Sequence, residues 1–135
     1  MAQVGAIGTG SGPTSIQISG NYAFAANPAN NMIQAINISN PSAPGIVSLV
    51  STDNYPLAMS VSGDFAYVVN FSGNTMQVIN ISNPASMTVV GSVATDRILF
   101  QFRYKVLMRM WPIEMEIVCR CLISRIQHSH LWYQP

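Results

Sequence analysis

Two stretches of this sequence decide the fold, because they are copies of one another. Residues 19–41 read SGNYAFAANPANNMIQAINISNP, and residues 62–84 read SGDFAYVVNFSGNTMQVINISNP. The two stretches align without a gap at an offset of 43 residues, and the register extends back to place Pro13 over Pro56. Self-similarity at a fixed spacing of this size is the signature of a repeat architecture.

Each copy divides into four short β runs, which in the second copy we predict at 58–62, 65–70, 76–81 and 88–94. Gly63-Asp64 is a two-residue hairpin loop in which Gly supplies a positive φ. Ser72-Gly73-Asn74 forms the next turn, and Asn83-Pro84 ends the third strand because Pro cannot donate to a ladder. Four antiparallel strands in a repeat of this length make one propeller blade. A β-solenoid is the alternative, although its coils are usually shorter and its strands parallel.

The strand patterns of the second copy, Ala-Tyr-Val-Val-Asn at 66–70 and Met-Gln-Val-Ile-Asn-Ile-Ser-Asn-Pro at 76–84, carry a family resemblance. They resemble the LVIVD repeat, whose core strand reads like LVIVDVSNP and whose blades close into a propeller. YVTN-type propeller repeats are a close second, through residues 67–70. Asn37 and Asn80 stand where the LVIVD family usually carries Asp. The resemblance implies a bacterial or archaeal protein, often exported or at the cell surface, without a well-defined function.

We therefore predict an all-β fold for residues 1–96. It is a partial β-propeller of about two four-stranded antiparallel blades, and one leading strand precedes the first blade. Residues 97–135 are expected to form an irregular tail. Propellers need about four to eight blades to close. Because each blade buries its faces on its neighbours, two blades alone should leave two apolar faces open. Either copies self-associate to complete a propeller, or the chain is a fragment of a larger protein, in the extreme a truncated product without function.

The composition changes abruptly at Asp96. The only charged residues up to that point are Asp53, Asp64 and Asp96, while all six basic residues, both Glu, both His and both Cys follow it. The net charge of +1 is thus the sum of two unlike parts, and no basic stripe of the kind that binds nucleic acid is present. The first residues lack the basic and apolar regions of a signal peptide.

We interpret the tail as a shifted reading frame. When the last base of each codon is read with the first two bases of the next, junction 110–111 forces Val and junction 115–116 forces Gly. With permitted codons, residues 109–127 can be reread as AYVANRNGNSMQVFDISNP, which aligns with residues 66–84 at the same offset of 43. A single-base shift close to Asp96 would therefore have replaced a third blade. Stop codons in the shifted frame of the gene would contradict this hypothesis.

The tail also contains features that imitate functional sites. Cys119 and Cys121, like His128 and His130, are separated by one residue, whereas structural zinc sites use longer spacings within each pair. The apolar run at 106–126 includes five charged residues and a Pro, which makes it a poor membrane span. We predict neither a metal site nor a membrane span here.

The repeats offer little for catalysis, since Asp53 and Asp64 are their only ionisable candidates and neither His nor Lys occurs before residue 97. Acid–base and nucleophilic mechanisms need such groups beside a reacting atom, and Asp at a turn commonly bonds nearby backbone N–H groups. We predict no catalytic and no cofactor-binding residues, and no enzyme activity. A hydrolase whose site lies in blades outside this chain is the less favoured alternative.

The repeated Asn residues and the strand aromatics have structural interpretations. We expect the Asn pairs at strand ends to satisfy backbone groups of the turns, and the strand aromatics to pack between blades. These residues are Asn27, Asn70, Asn40 and Asn83, and Tyr22, Phe24, Phe65 and Tyr67. Asn37, Asn70 and Asn80 also match the N-glycosylation sequon. The predicted function is a non-catalytic scaffold or binding module with a protein or glycan ligand, without a cofactor.

Overall fold

The computed structural model describes residues 1–95 and confirms the all-β prediction with two four-stranded sheets. Sheet 1 has the order β1-β2-β3-β4 and sheet 2 the order β5-β6-β7-β8, with antiparallel neighbours throughout. The strands are β1 (Ser15–Ser19), β2 (Tyr22–Asn27), β3 (Met32–Asn37), β4 (Gly45–Ser51), β5 (Pro56–Ser62), β6 (Phe65–Asn70), β7 (Thr75–Asn80) and β8 (Thr88–Ala94).

Each sheet corresponds to one copy of the repeat, and the predicted strands need only small corrections. β5 begins at Pro56 rather than at 58, since Pro is tolerated as the first residue of a strand, and a bulge follows it. β7 begins at Thr75, which pairs with Asn70, and it ends one residue before the predicted end. The predictions for residues 97–135, including the Cys and His pairs, the run at 106–126 and the reread blade, lie outside the described residues.

The turns place positive φ angles at two kinds of position. Gly20 and Gly63 both have a φ of 57° in the β1–β2 and β5–β6 hairpins, which confirms the role predicted for Gly63. In the β2–β3 and β6–β7 turns the positive φ falls on Asn31 and Asn74, at 52° and 50°. Gly73 serves a different purpose, because a Cβ there would lie 2.9 Å from the Cβ of Asp53.

The two sheets pack face to face, as neighbouring propeller blades do. One face of sheet 1 and one face of sheet 2 share a single buried apolar cluster, which includes Phe24, Ala26, Ile33, Ala35, Met59, Ala66, Val68 and Ile79. Two hydrogen bonds also join the sheets: the Thr14 hydroxyl donates to the Pro56 carbonyl over 2.8 Å, and the Ser48 hydroxyl to the Pro84 carbonyl over 2.5 Å. The core of the described chain is therefore the interface between its two repeats.

The strand aromatics divide between the two sheets. Phe24 is 1% exposed within the shared cluster and Tyr22 packs against that cluster, as predicted. Phe65 and Tyr67 alternate along β6 with cluster residues, so they point to the opposite face of sheet 2. They therefore do not pack between sheets 1 and 2, because a strand directs only every second residue to one face, and their packing on a further blade stays a prediction.

The predicted leading strand does not form, since residues 1–14 contain no strand. These residues still lie against sheet 1, where Ile7 packs on the side that faces away from sheet 2. A Cβ on Gly5 would collide with the carbonyl oxygen of Pro41. At an offset of 43, Gly5 and Pro41 correspond to Ser48 and Pro84, the pair that joins the two sheets. The segment therefore corresponds to the last strand of a preceding repeat but forms no strand itself.

Candidate functional site

Three connections meet at one end of the two sheets, which we call the turn end. They are the β2–β3 turn, the β4–β5 linker and the β6–β7 turn, at residues 28–31, 52–55 and 71–74. Backbone hydrogen bonds of 2.8–2.9 Å tie the linker to both turns: Thr52 to Asn31, Phe71 to Tyr55 and Gly73 to Asn54. The turn end is therefore one continuous hydrogen-bonded surface that crosses from sheet 1 to sheet 2.

A buried polar network anchors the linker on sheet 2. The Gln77 side-chain oxygen accepts hydrogen bonds from the backbone N–H of Asp53 at 3.0 Å and from the Asn70 amide at 2.9 Å. The Thr75 hydroxyl donates to the Asp53 carboxylate over 2.6 Å and lies 3.2 Å from the Asn70 amide nitrogen. These four side chains bond chiefly to one another. The hydrogen bonds to Asp53 hold the linker against sheet 2.

The same positions in the first repeat lack this network. Met32 and Gly10 stand where the second repeat has Thr75 and Asp53. The Asn27 amide donates to the Thr9 carbonyl over 2.6 Å, and the side-chain oxygens of Asn27 and Gln34 are buried without a hydrogen-bond partner. The Asn70 side-chain oxygen also lacks a partner, so the two repeats differ at the Gln oxygen, which is bonded only where the linker from a preceding sheet reaches it.

Tyr55 is the unusual residue of the turn end. Its φ is 60°, in the left-handed region that non-Gly residues seldom occupy, and 42% of its surface is exposed. Its ring meets Phe71 edge-on at a centroid distance of 6.1 Å. The first repeat has Gly12 at this position, with a φ of 67°. The backbone conformation therefore belongs to the repeat, whereas the aromatic side chain does not.

Amide groups surround Tyr55. The Asn31 side-chain oxygen accepts the backbone N–H of Tyr55 over 2.8 Å, while its amide nitrogen lies 3.4 Å from the Asn54 side-chain oxygen at the surface. Asn54 is exposed. An aromatic pair beside exposed amides offers both apolar contact and hydrogen bonding to a ligand. Nothing in the sequence pattern singled out Tyr55, and only its alignment with Gly12 could have drawn attention to it.

The two Asp residues singled out by the sequence lie at opposite ends of sheet 2. Asp53 is in the linker, and its carboxylate accepts a side-chain hydroxyl rather than the predicted backbone N–H. Asp64 is in the β5–β6 hairpin, where its carbonyl accepts the N–H of Ile81 at 2.8 Å. The structure therefore does not bring these carboxylates together. Within residues 1–95, no group of three His, Cys, Asp or Glu residues could hold a metal ion.

The repeated Asn residues behave in two ways. Asn40 and Asn83 accept backbone N–H groups two residues on at 3.1 Å, which confirms their turn role. The expectation that Asn27 and Asn70 do the same is wrong, because the Asn70 amide bonds to side chains and that of Asn27 reaches a distant segment. Asn70 is also fully buried, so its sequon is inaccessible in the folded chain.

Among the described residues, no helix is long and apolar enough to cross a membrane.

Comparison with known proteins agrees with the repeat and the two sheets. A family model described as the LVIVD repeat matches residues 12–52 and 58–95. No curated protein matches the chain significantly. A solved crystal structure of a functionally unknown protein from Desulfotomaculum acetoxidans DSM 771 is similar, with 30% identity and a TM-score of 0.55. The match covers 61% of this chain and 27% of that one, so this chain spans only about a quarter of its structural relative.

Proposed function

The chain belongs to the LVIVD repeat family, and on that premise we propose that it is a non-catalytic binding module of a cell-surface or exported protein, which binds a protein or glycan ligand at its turn end. The observation that carries this proposal is Tyr55. A left-handed backbone costs a non-Gly residue about 1–2 kcal/mol. Since Gly12 satisfies the same backbone in the first repeat, the aromatic side chain at 55 is better explained by contact with a ligand than by folding.

The composition of the turn end supports a binding role. The linker reads Thr-Asp-Asn-Tyr at 52–55 and the following turn reads Phe-Ser-Gly-Asn at 71–74. Surfaces that recognise varied ligands are rich in Tyr, Ser, Gly and Asn, because Tyr supplies rigid contact area and the small polar residues supply adaptable hydrogen bonds. The backbone bonds of the linker hold these side chains on a fixed scaffold, so little ordering is needed on binding.

The hydrogen bonds that engage Asp53 support a non-catalytic role. Asp53 is engaged by Thr75 and by Gln77, and Asp64 lies at the other end of sheet 2. General acid–base chemistry needs a group within reach of a reacting atom and free to exchange its proton. The turn end instead presents Tyr55 and neutral amides, which suit recognition.

Tyr55→Gly tests the binding role, because it restores the residue of the first repeat. The wild-type chain and the variant would be passed over panels of immobilised oligosaccharides and of extended peptides. We expect at least one panel member to bind the wild-type chain, with about tenfold weaker binding by Tyr55→Gly. The free energy of unfolding should change by less than about 1 kcal/mol, because relief of backbone strain offsets the lost contact with Phe71.

Phe65→Ala is the matched control for this test. Phe65 is 38% exposed, close to the 42% of Tyr55, and begins β6 at the opposite end of sheet 2. It should bind as the wild-type chain does. Equal binding by Tyr55→Gly and the wild-type chain, or an equal loss with Phe65→Ala, would contradict a site at the turn end.

A further inference from the structure

One face of sheet 1 is apolar and is uncovered along its outer strands, β1 and β4, and we call it the open face. It carries Ile16, Ile18, Ile46 and Leu49, which are 58%, 67%, 46% and 53% exposed. The strand register places all four on one side, since they pair with Ala25, Ala23, Ile36 and Gln34 respectively. Monomeric proteins seldom leave so continuous an apolar surface in water.

The open face is the repeat counterpart of a face that already binds a sheet. Ala23, Ala25 and Ile36 correspond, at an offset of 43, to Ala66, Val68 and Ile79. The second set is buried against sheet 1 in the shared cluster. Ile16 and Ile18 likewise correspond to Met59, which is in that cluster, and Val61, which packs against it. The observed interface therefore specifies what the open face fits, namely the far face of a blade of this repeat.

Residues 1–10 occupy part of that place. Ile7 packs on Ala23, Ala25 and Ile36, as its counterpart Val50 packs on the shared cluster. An open depression of about 190 Å³ lies beside the segment, lined by Thr9, Pro13, Thr14, Ser15, Ile16 and Ala25. The segment forms no strand, and it is held by the packing of Ile7 and by the hydrogen bond from the Asn27 amide to the Thr9 carbonyl.

One buried acceptor on this side of sheet 1 identifies the missing contact. Gln34 is 6% exposed, and its side-chain oxygen lacks a partner. In the second repeat, Gln77 Oε1 accepts the N–H of Asp53 from the linker of the preceding sheet. Buried polar atoms without a partner are costly and rare. The site at Gln34 is thus built for a linker that residues 1–10 do not supply.

We propose that a second copy of this chain docks sheet 2 on the open face and displaces residues 1–10. β8 is the repeat counterpart of β4, and Asp96 follows Thr95 in the sequence as Asp53 follows Thr52. By this correspondence, the linker position that Gln34 lacks belongs to the incoming copy. Its far face is apolar as well, with Tyr67, Val69, Met76 and Val78 at the positions of Phe24, Ala26, Ile33 and Ala35. Val69 and Met76 are 1% and 0% exposed in the single chain, so docking requires that they be uncovered.

This contact joins copies head to tail, and we expect it to close into a ring, as blades of a propeller do. Propellers close at about four to eight blades, and each copy supplies two sheets. A closed assembly therefore contains about two to four copies. The turn end of each copy lies outside this interface, so binding at Tyr55 and self-association can fail independently.

Light scattering on the eluting full-length chain, across a wide range of concentrations, tests the proposal. We expect discrete masses of about two to four times 14.6 kDa. Ile18→Asp should weaken association at least about tenfold, because it buries an unpaired charge at the interface. Gln34→Met should also weaken it, while leaving the unfolding of the single chain unharmed, since it removes an amide whose oxygen has no partner in the single chain. Asn21→Asp is the control, because it adds the same charge in an exposed hairpin whose counterpart in sheet 2 is already Asp64.

Three results would overturn the proposal. They are a monomeric mass at every concentration, aggregates without a defined mass, and an assembly that Ile18→Asp and Asn21→Asp affect equally. Far-ultraviolet circular dichroism of each variant distinguishes loss of association from loss of folding.

Discussion

The two faces of sheet 1 are built from the same strands and yet differ in the exposure of their large apolar side chains. On one face, Phe24 and Ala26 are 1% and 0% exposed under sheet 2, while on the other Ile16 and Ile18 are 58% and 67% exposed. Both faces are apolar, because successive residues of a strand point to opposite sides and β2 has consecutive apolar residues at 23–26. A blade of this repeat is therefore apolar on both sides by design of its sequence, and only its neighbours decide which side is buried.

The largest expected effect comes from truncating one apolar residue on each face. Phe24→Ala should lower the free energy of unfolding by about 3–5 kcal/mol, since it opens a cavity in the shared cluster. Ile18→Ala should change it by less than about 0.5 kcal/mol, because the side chain is already in water. Urea unfolding, measured below the concentration at which copies associate, gives both values. Equal losses would mean that the two faces are buried alike and would remove the basis of the comparison.

A smaller effect is expected from the buried Gln of each repeat. Gln77→Met should destabilise the chain by about 1–3 kcal/mol, because the N–H of Asp53 loses its acceptor. Gln34→Met should be neutral or stabilising, since it replaces an oxygen that has no partner in the single chain. Thermal or urea unfolding of the two variants side by side measures the difference. If Gln34→Met were the more damaging variant, the Gln34 side chain would have a partner within the single chain. That result would contradict the difference that we describe between the two repeats.

Much of the architecture was predictable from the sequence. The offset of 43 residues, the Gly at each hairpin and the apolar alternation together predict four strands per repeat and their order. These features are local, or they repeat an identical local pattern, so they can be recognised without tertiary contacts.

The site was much less predictable, because its contacts join residues that are distant in sequence. Asp53 reaches Gln77 across 24 positions, and the Asn70 amide turns inward to Gln77 rather than to its own turn. Tyr55 occupies a backbone conformation that propensity assigns to Gly, so no pattern places it there. Whether the face of β6 that carries Phe65 and Tyr67 is buried likewise depends on which neighbouring sheet is present.

The central claim is that the two repeats are blades that stabilise one another through their shared face. Hydrogen exchange of the full chain over a series of urea concentrations, read peptide by peptide in the wild-type chain and in Phe24→Ala, tests this most directly. Phe24 lies in β2 of sheet 1, so any effect on sheet 2 must pass through the interface. The account predicts that amides of β6 and β7 lose protection at the same lowered urea concentration as those of β2 and β3. Unchanged protection of β6 and β7 in Phe24→Ala would contradict it.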